Sequence, residues 1–165
     1  MSTDAPRRMT LLYQLFLANQ AARHFMRLAL AGTDMSGEEY ALCSYLFGNG
    51  PRTMSQAARY FGLPVTTVAT MLAPLIEAGE IERRPHPADR RARLLALTDA
   101  GRARLETVIP AFTAAYRSLL TQLDEASVDT EALFGALDAL RSGVLRTNDL
   151  LAAEGAMREE RHAPD

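Results

Sequence analysis

The chain has 165 residues, 48% of them apolar, with a formal net charge of −2 at pH 7. That apolar share supports a packed core and excludes wholesale disorder, while no stretch reaches the roughly 18 consecutive apolar residues of a membrane span. The single cysteine, Cys43, excludes an intrachain disulfide and a thiolate zinc cage.

The N-terminus carries no secretory signal pattern, so a cytoplasmic protein without a membrane partner is expected. Every strongly basic side chain is arginine, and their distribution is uneven. Residues 1–51 hold four arginines and four acids, residues 52–104 nine against five, and residues 105–165 five against eleven. A cationic middle between neutral and acidic ends suits a polyanionic partner for the middle alone; a solvated face with counterions accounts for the charge equally well.

In chain order, the first seven or so residues and the stretch from Gly155 to Asp165 read as polar, frayed ends. From Arg8 to Ala31 the spacing of Leu11, Leu12, Leu15, Phe16, Phe25 and Leu28 predicts a helix. A second helix starts at Ser36, where Ser-Gly-Glu-Glu forms a capping box with Glu39, and stops near Gly48. Thr53 and Gln56 make another capping box, opening a short helix that ends at Phe61-Gly62. Pro64 begins a fourth helix, Val65 to Ala78, closed by Gly79. Ala57, Ala58, Phe61, Val68, Met71, Leu72 and Leu75 are placed to form the interior shared by these two short helices, a helix-turn-helix candidate. Ile81 to Arg84 and Arg93 to Leu97 read as two strands joined by a cationic tip. Leu95 and Leu97 are expected on one face of the second, with Leu94 and Ala96 on the other.

A long helix follows from Asp99 to about Leu123, with a bend or break predicted at Pro110. The last begins near Ser127, and its seam of Leu133, Leu137, Leu140, Val144 and Leu151 suits a partner helix. The expected fold class is therefore mainly α with an α+β wing, a winged helix-turn-helix core flanked by terminal helices.

Several of these residues resemble the MarR (multiple antibiotic resistance regulator) family of transcription factors. The pattern Asp89-x-Arg91-x-x-x-Leu95-x-Leu97-Thr98-x-x-Gly101 is similar to the family's wing and exit, and LIEAGEIERRPHPADRRA, residues 75 to 92, to its run from recognition helix into wing. The resemblance implies one MarR-like domain over residues 1–165, with a winged helix-turn-helix over 34–99 and dimerisation helices at 8–31 and 100–151. It further implies a homodimer reading a palindromic site on double-stranded DNA, and repression relieved by a small aromatic or phenolic effector.

Arg91 aligns with the family's wing arginine and Asp89 with its brace. A narrow minor groove attracts an inserted guanidinium, and Asp89 is expected to orient it; a turn-fixing ion pair is the plainer reading. Arg90 and Arg93 are expected at phosphates, as are Arg52 and Arg59, against a reading as solvated surface. His86 reads as a plain loop residue. Thr66, Thr67 and Thr70 are the candidate base or phosphate contacts on the recognition helix. Thr70 stands where many relatives carry arginine, and no basic side chain occurs between Leu63 and Glu82, so specificity is expected to lean on the wing and DNA shape. Pro74 predicts a kink in this helix.

By resemblance an effector pocket would lie between the winged region and the dimerisation helices, with Asn19, Arg23, His24, Tyr40, Cys43 and Ser44 as candidates; each could equally serve core or interface packing. Cys43, inside a helix expected to be buried, is a poor redox sensor. His24, His86 and His162 lack metal-ligand spacing, so neither metal nor cofactor is expected. With no phosphate-cradling glycine loop or nucleophile elbow, an enzyme is not expected. The competing function is a winged-helix protein-interaction module without specific DNA recognition.

Overall fold

A computed structural model describes the backbone of residues 5–162 and the side chains of residues 10–154. The outermost parts of the two polar ends, residues 1–4 and 163–165, lie outside the described residues, as does the His162 side chain. The chain forms two compact units, Met1–Arg117 and Ser118–Asp165. The elements are α1 (Ala5–Ala29), α2 (Gly37–Asn49), β1 (Arg52–Thr53), α3 (Met54–Phe61), α4 (Val65–Glu77), β2 (Ile81–Pro85), β3 (Arg93–Leu97), α5 (Asp99–Glu125) and α6 (Thr130–His162). Among the described residues no single helix is long and apolar enough to cross a membrane.

Both predicted capping boxes form. The Ser36 hydroxyl accepts from the Glu39 amide while the Glu39 carboxylate takes the Ser36 amide, and Thr53 and Gln56 repeat the exchange. Each satisfies two amide donors that a helix start would otherwise leave unpaired. Gly62 ends α3 in the left-handed conformation, with φ +66°. The chain then turns through 111° into α4, within the range of helix-turn-helix pairs.

Ala57, Ala58, Val68, Leu72 and Leu75 are buried, and Phe61 and Met71 pack against them, as the sequence predicts. Leu42, Cys43, Leu46, Ile81, Leu105 and Val108 belong to the same core. The sheet has the order β1-β3-β2, antiparallel throughout. One detail departs from expectation. The strand β1, which no local pattern announces, pairs Arg52 with Leu95 and Thr53 with Leu94. Ala96 is buried together with Leu95 and Leu97, so both faces of the central strand β3 are covered at this end.

Helix α4 continues without a break across Pro74, and α5 across Pro110, so the break predicted at Pro110 does not occur. Helix α1 begins three residues before its predicted start and ends two residues before its predicted end. Helix α6 carries helical backbone to His162, through much of the stretch expected to fray.

Thr98 ties the wing to α5. Its hydroxyl donates to the Gly79 carbonyl at 2.8 Å and accepts from the Gly101 amide at 3.1 Å, capping α5. Its own amide donates to the Glu80 carbonyl at 3.0 Å.

Candidate nucleic-acid interface

The amphipathic spacing of α4 sets which residues face outward. Val68, Leu72 and Leu75 take the core side, leaving Thr66, Thr67 and Thr70 exposed. The Thr70 hydroxyl donates to the Thr66 carbonyl at 3.1 Å, one turn back along the helix.

Beyond β2, the chain reverses through residues 86–92 under two local braces. Nδ1 of His86 accepts the Ala88 and Asp89 amides at 3.2 and 3.1 Å. The Asp89 carboxylate accepts the Arg91 amide at 2.9 Å, and its carbonyl accepts the Ala92 amide at 3.1 Å. Asp89 thus braces the backbone of Arg91; among the described residues no ion pair joins their side chains. That corrects the expected side-chain pairing: a short carboxylate two residues upstream reaches the nearby amide and closes an Asx-type turn. His86, which reads from sequence as a plain loop residue, supplies the other half of the brace. Its signal is weak because an imidazole acceptor is an uncommon turn former.

The wing arginines divide by role. Arg90 and Arg91 are exposed at the tip. Arg93 folds back and donates to the Arg90 and Ala92 carbonyls, both at 3.1 Å, so part of its guanidinium shapes the loop. Arg84 is held by Glu82 at 2.5 Å. Arg83, which carries no distinguishing signal in the sequence, joins Arg91, Arg93, Thr53 and Ser55 around a groove of about 360 Å³ between the wing and the start of α3. Three guanidinium groups on one open groove make a strong anion-attracting surface. Arg59 is exposed on α3, while Arg52 on β1 is half-buried and donates to the Pro51 carbonyl at 3.2 Å.

A second basic residue that sequence reasoning misses is Arg104, which joins three segments. It donates to Glu80 at 2.6 Å, lies 3.3 Å from the Asp34 carboxylate and 3.8 Å from Glu39, and also bonds the Asp34 carbonyl. Its partners lie far away in sequence, so no local pattern announces them.

The six candidate effector residues lie in different surroundings. Asn19 and His24 are exposed on α1, His24 accepting from Arg27. Tyr40 packs against Phe112, ring centroids 4.5 Å apart, and bonds Ser44. Cys43 is fully buried, and burial, reinforced by the charge of Glu80, pushes its thiol up to about 11. Arg23 lines a groove of about 390 Å³ between α1, α2, the end of α3 and α4 that also includes Met26, Arg27, Ala41, Phe61 and Met71. Arg23 there pairs with Glu38 at 3.3 Å.

The MarR family model matches residues 33–92. A comparison with curated protein sequences finds no match. Among solved structures the chain is similar to a probable transcriptional regulator from Pseudomonas aeruginosa, at 27% identity and TM-score 0.66 over 78% of this chain and 94% of that one. It is also similar to wild-type MarR from E. coli, at 22% identity and TM-score 0.65 over 77% and 96%. A third is the transcriptional repressor CouR bound to a 23-mer DNA duplex, at 24% identity and TM-score 0.69 over 85% and 98%.

Proposed function

We propose that the chain is a DNA-binding transcriptional regulator of the MarR family of winged helix-turn-helix proteins, acting as a homodimeric repressor of a palindromic operator and released by a small aromatic effector. The observation that carries the reading is the wing. Exposed Arg90 and Arg91 stand on a turn braced by His86 and Asp89, beside a groove that adds Arg83 and Arg93. Arg91 enters the minor groove, where narrow A·T stretches concentrate negative potential. Arg90, Arg93, Arg52 and Arg59 take phosphates, and the Thr66, Thr67 and Thr70 face of α4 lies in the major groove.

Dimerisation rests on the terminal helices, each of which exposes large apolar side chains. Leu12 and Phe16 on α1 are 61% and 57% exposed, and Phe134 and Leu151 on α6 are 54% and 60% exposed. Faces of that size favour a protein partner over water, and a second copy supplies one. The segments 8–31 and 100–151 form this dimer, leaving 34–99 to read DNA. Repression is proposed by analogy with CouR, a repressor seen on DNA. The groove between α1, α2 and α4 suits an aromatic acid, its carboxylate on Arg23 or Arg27 and its ring against Met26, Phe61 and Met71.

The test is a fluorescence-anisotropy titration of the protein against its own promoter region over a range of salt. Counterion release predicts log affinity falling linearly with log salt. Absence of binding even at low salt would favour a protein-interaction module. Addition of benzoate or hydroxybenzoate should release the duplex and raise the melting temperature of the free protein.

A further inference from the structure

We infer that α4 recognises the C5-methyl groups of thymine, so that the operator half-site is T-rich where this helix meets it; the inference rests on the proposed placement of α4 in the major groove. From Val65 to Pro74 the exposed residues are Val65, Thr66, Thr67, Thr70, Ala73 and Pro74, and every one presents methyl or methylene groups. The Thr70 hydroxyl proton is spent on the Thr66 carbonyl at 3.1 Å. What remains for a base is a methyl and an acceptor lone pair. Guanine shows only the acceptors N7 and O6 in the major groove, whereas adenine adds an amino donor and thymine a methyl. A side chain that has spent its donor cannot bond guanine; its acceptor can take the amino group of adenine or of cytosine, so the methyl contact, which only thymine answers, is what favours A·T.

Helix α4 has no side chain able to grip a purine edge with two hydrogen bonds. From Leu63 to Ile81 there is no arginine, lysine, asparagine or glutamine, so neither the bidentate reader of guanine nor that of adenine is present. Glu77, the helix's own charged side chain, lies roughly 10 Å along the axis beyond Thr70, at the end away from the N-terminal residues that meet bases in helix-turn-helix proteins. The face from Val65 to Ala73 spans roughly 12 Å, about three to four base-pair steps at ~3.4 Å each. Methyl contacts supply the discrimination along that length, while the arginines of the wing supply affinity.

The experiment selects duplexes from a random pool with the full-length protein, then rebuilds the preferred site with deoxyuridine in place of thymidine. That exchange removes the methyl and keeps every hydrogen-bonding group. Each methyl lost opposite α4 should weaken binding about fourfold, the equivalent of one buried methylene. Thr67→Ser and Thr70→Ser, which drop a methyl at exposed positions and leave the fold intact, should blunt that sensitivity in a double-mutant cycle. A deoxyuridine site bound as tightly as its parent, or selection of guanine-rich half-sites, overturns the inference while leaving DNA recognition in place. Failure to enrich any sequence overturns the premise of DNA reading, and the inference with it.

Discussion

A Cβ built on Gly101 would overlap the backbone carbonyl oxygen of Glu80 and stand 2.9 Å from its carbonyl carbon. The first turn of α5 is pressed against the start of β2 at that point, and the same Glu80 carbonyl accepts the Thr98 amide. The Thr-x-x-Gly spacing thus has a steric cause: Thr98 caps the helix, and Gly101 lets it approach.

Gly101→Ala must push two backbone segments apart, which no rotamer change relieves. A loss of about 2–3 kcal/mol is expected, the upper range for overpacking. In thermal denaturation this corresponds to a melting point lower by roughly 4–12 °C, and an unchanged melting point would refute the account of the motif.

Arg104 gathers Glu80, Glu39 and Asp34 with only 18% of its side chain exposed. Removing it leaves the poorly hydrated carboxylates of Glu80 and Glu39 without their partner. Arg104→Met should cost roughly 2–3 kcal/mol in urea unfolding, below the full value of a deeply buried pair because Asp34 faces water.

Cys43 should be inert in the native protein. With its thiol pushed up to about 11 by burial and Glu80, almost no thiolate exists near pH 8, and labelling by a disulfide reagent should follow unfolding. The fold favours the protonated thiol, so this contribution is complete below the ordinary cysteine range. It is lost as pH rises from about 9 to about 11. Cys43→Ala should flatten that alkaline decline, measured as urea midpoint against pH.

The wing brace has its own signature. Asp89→Ala removes the acceptor for the Arg91 amide, and His86→Ala removes the acceptor for two more. Each should weaken DNA binding roughly three- to tenfold, the worth of about one hydrogen bond, with little change in melting temperature because the tip is exposed. Asp89→Asn keeps an acceptor oxygen and should retain most of the affinity.

What is legible in the sequence is what local chemistry determines. Ser36 with Glu39, Thr53 with Gln56, and the breaks at Gly62 and Gly79 locate three helices to within a residue or two, and the run Arg93–Leu97 locates β3. What escapes it depends on distant segments. The strand at Arg52–Thr53 exists only because β3 lies beside it, and Arg104 finds carboxylates 24 and 65 positions away. Which α1 residues face the groove depends on the rotation of the helix rather than on its placement. On α1, Asn19 and His24 turn outward while Ala22, Arg23 and Met26 line the groove, because a mixed, weakly amphipathic centre does not declare which face it buries.

The most direct test of DNA reading by the wing compares wild type and Arg91→Ala by anisotropy titration on the selected operator across a salt series, with the oligomeric state of both checked by light scattering. Wing insertion predicts equal dimers, a variant weaker by roughly 1–3 kcal/mol, and selectivity relaxed at the wing's A·T positions. Wild-type affinity and an unchanged salt dependence in the variant would contradict it.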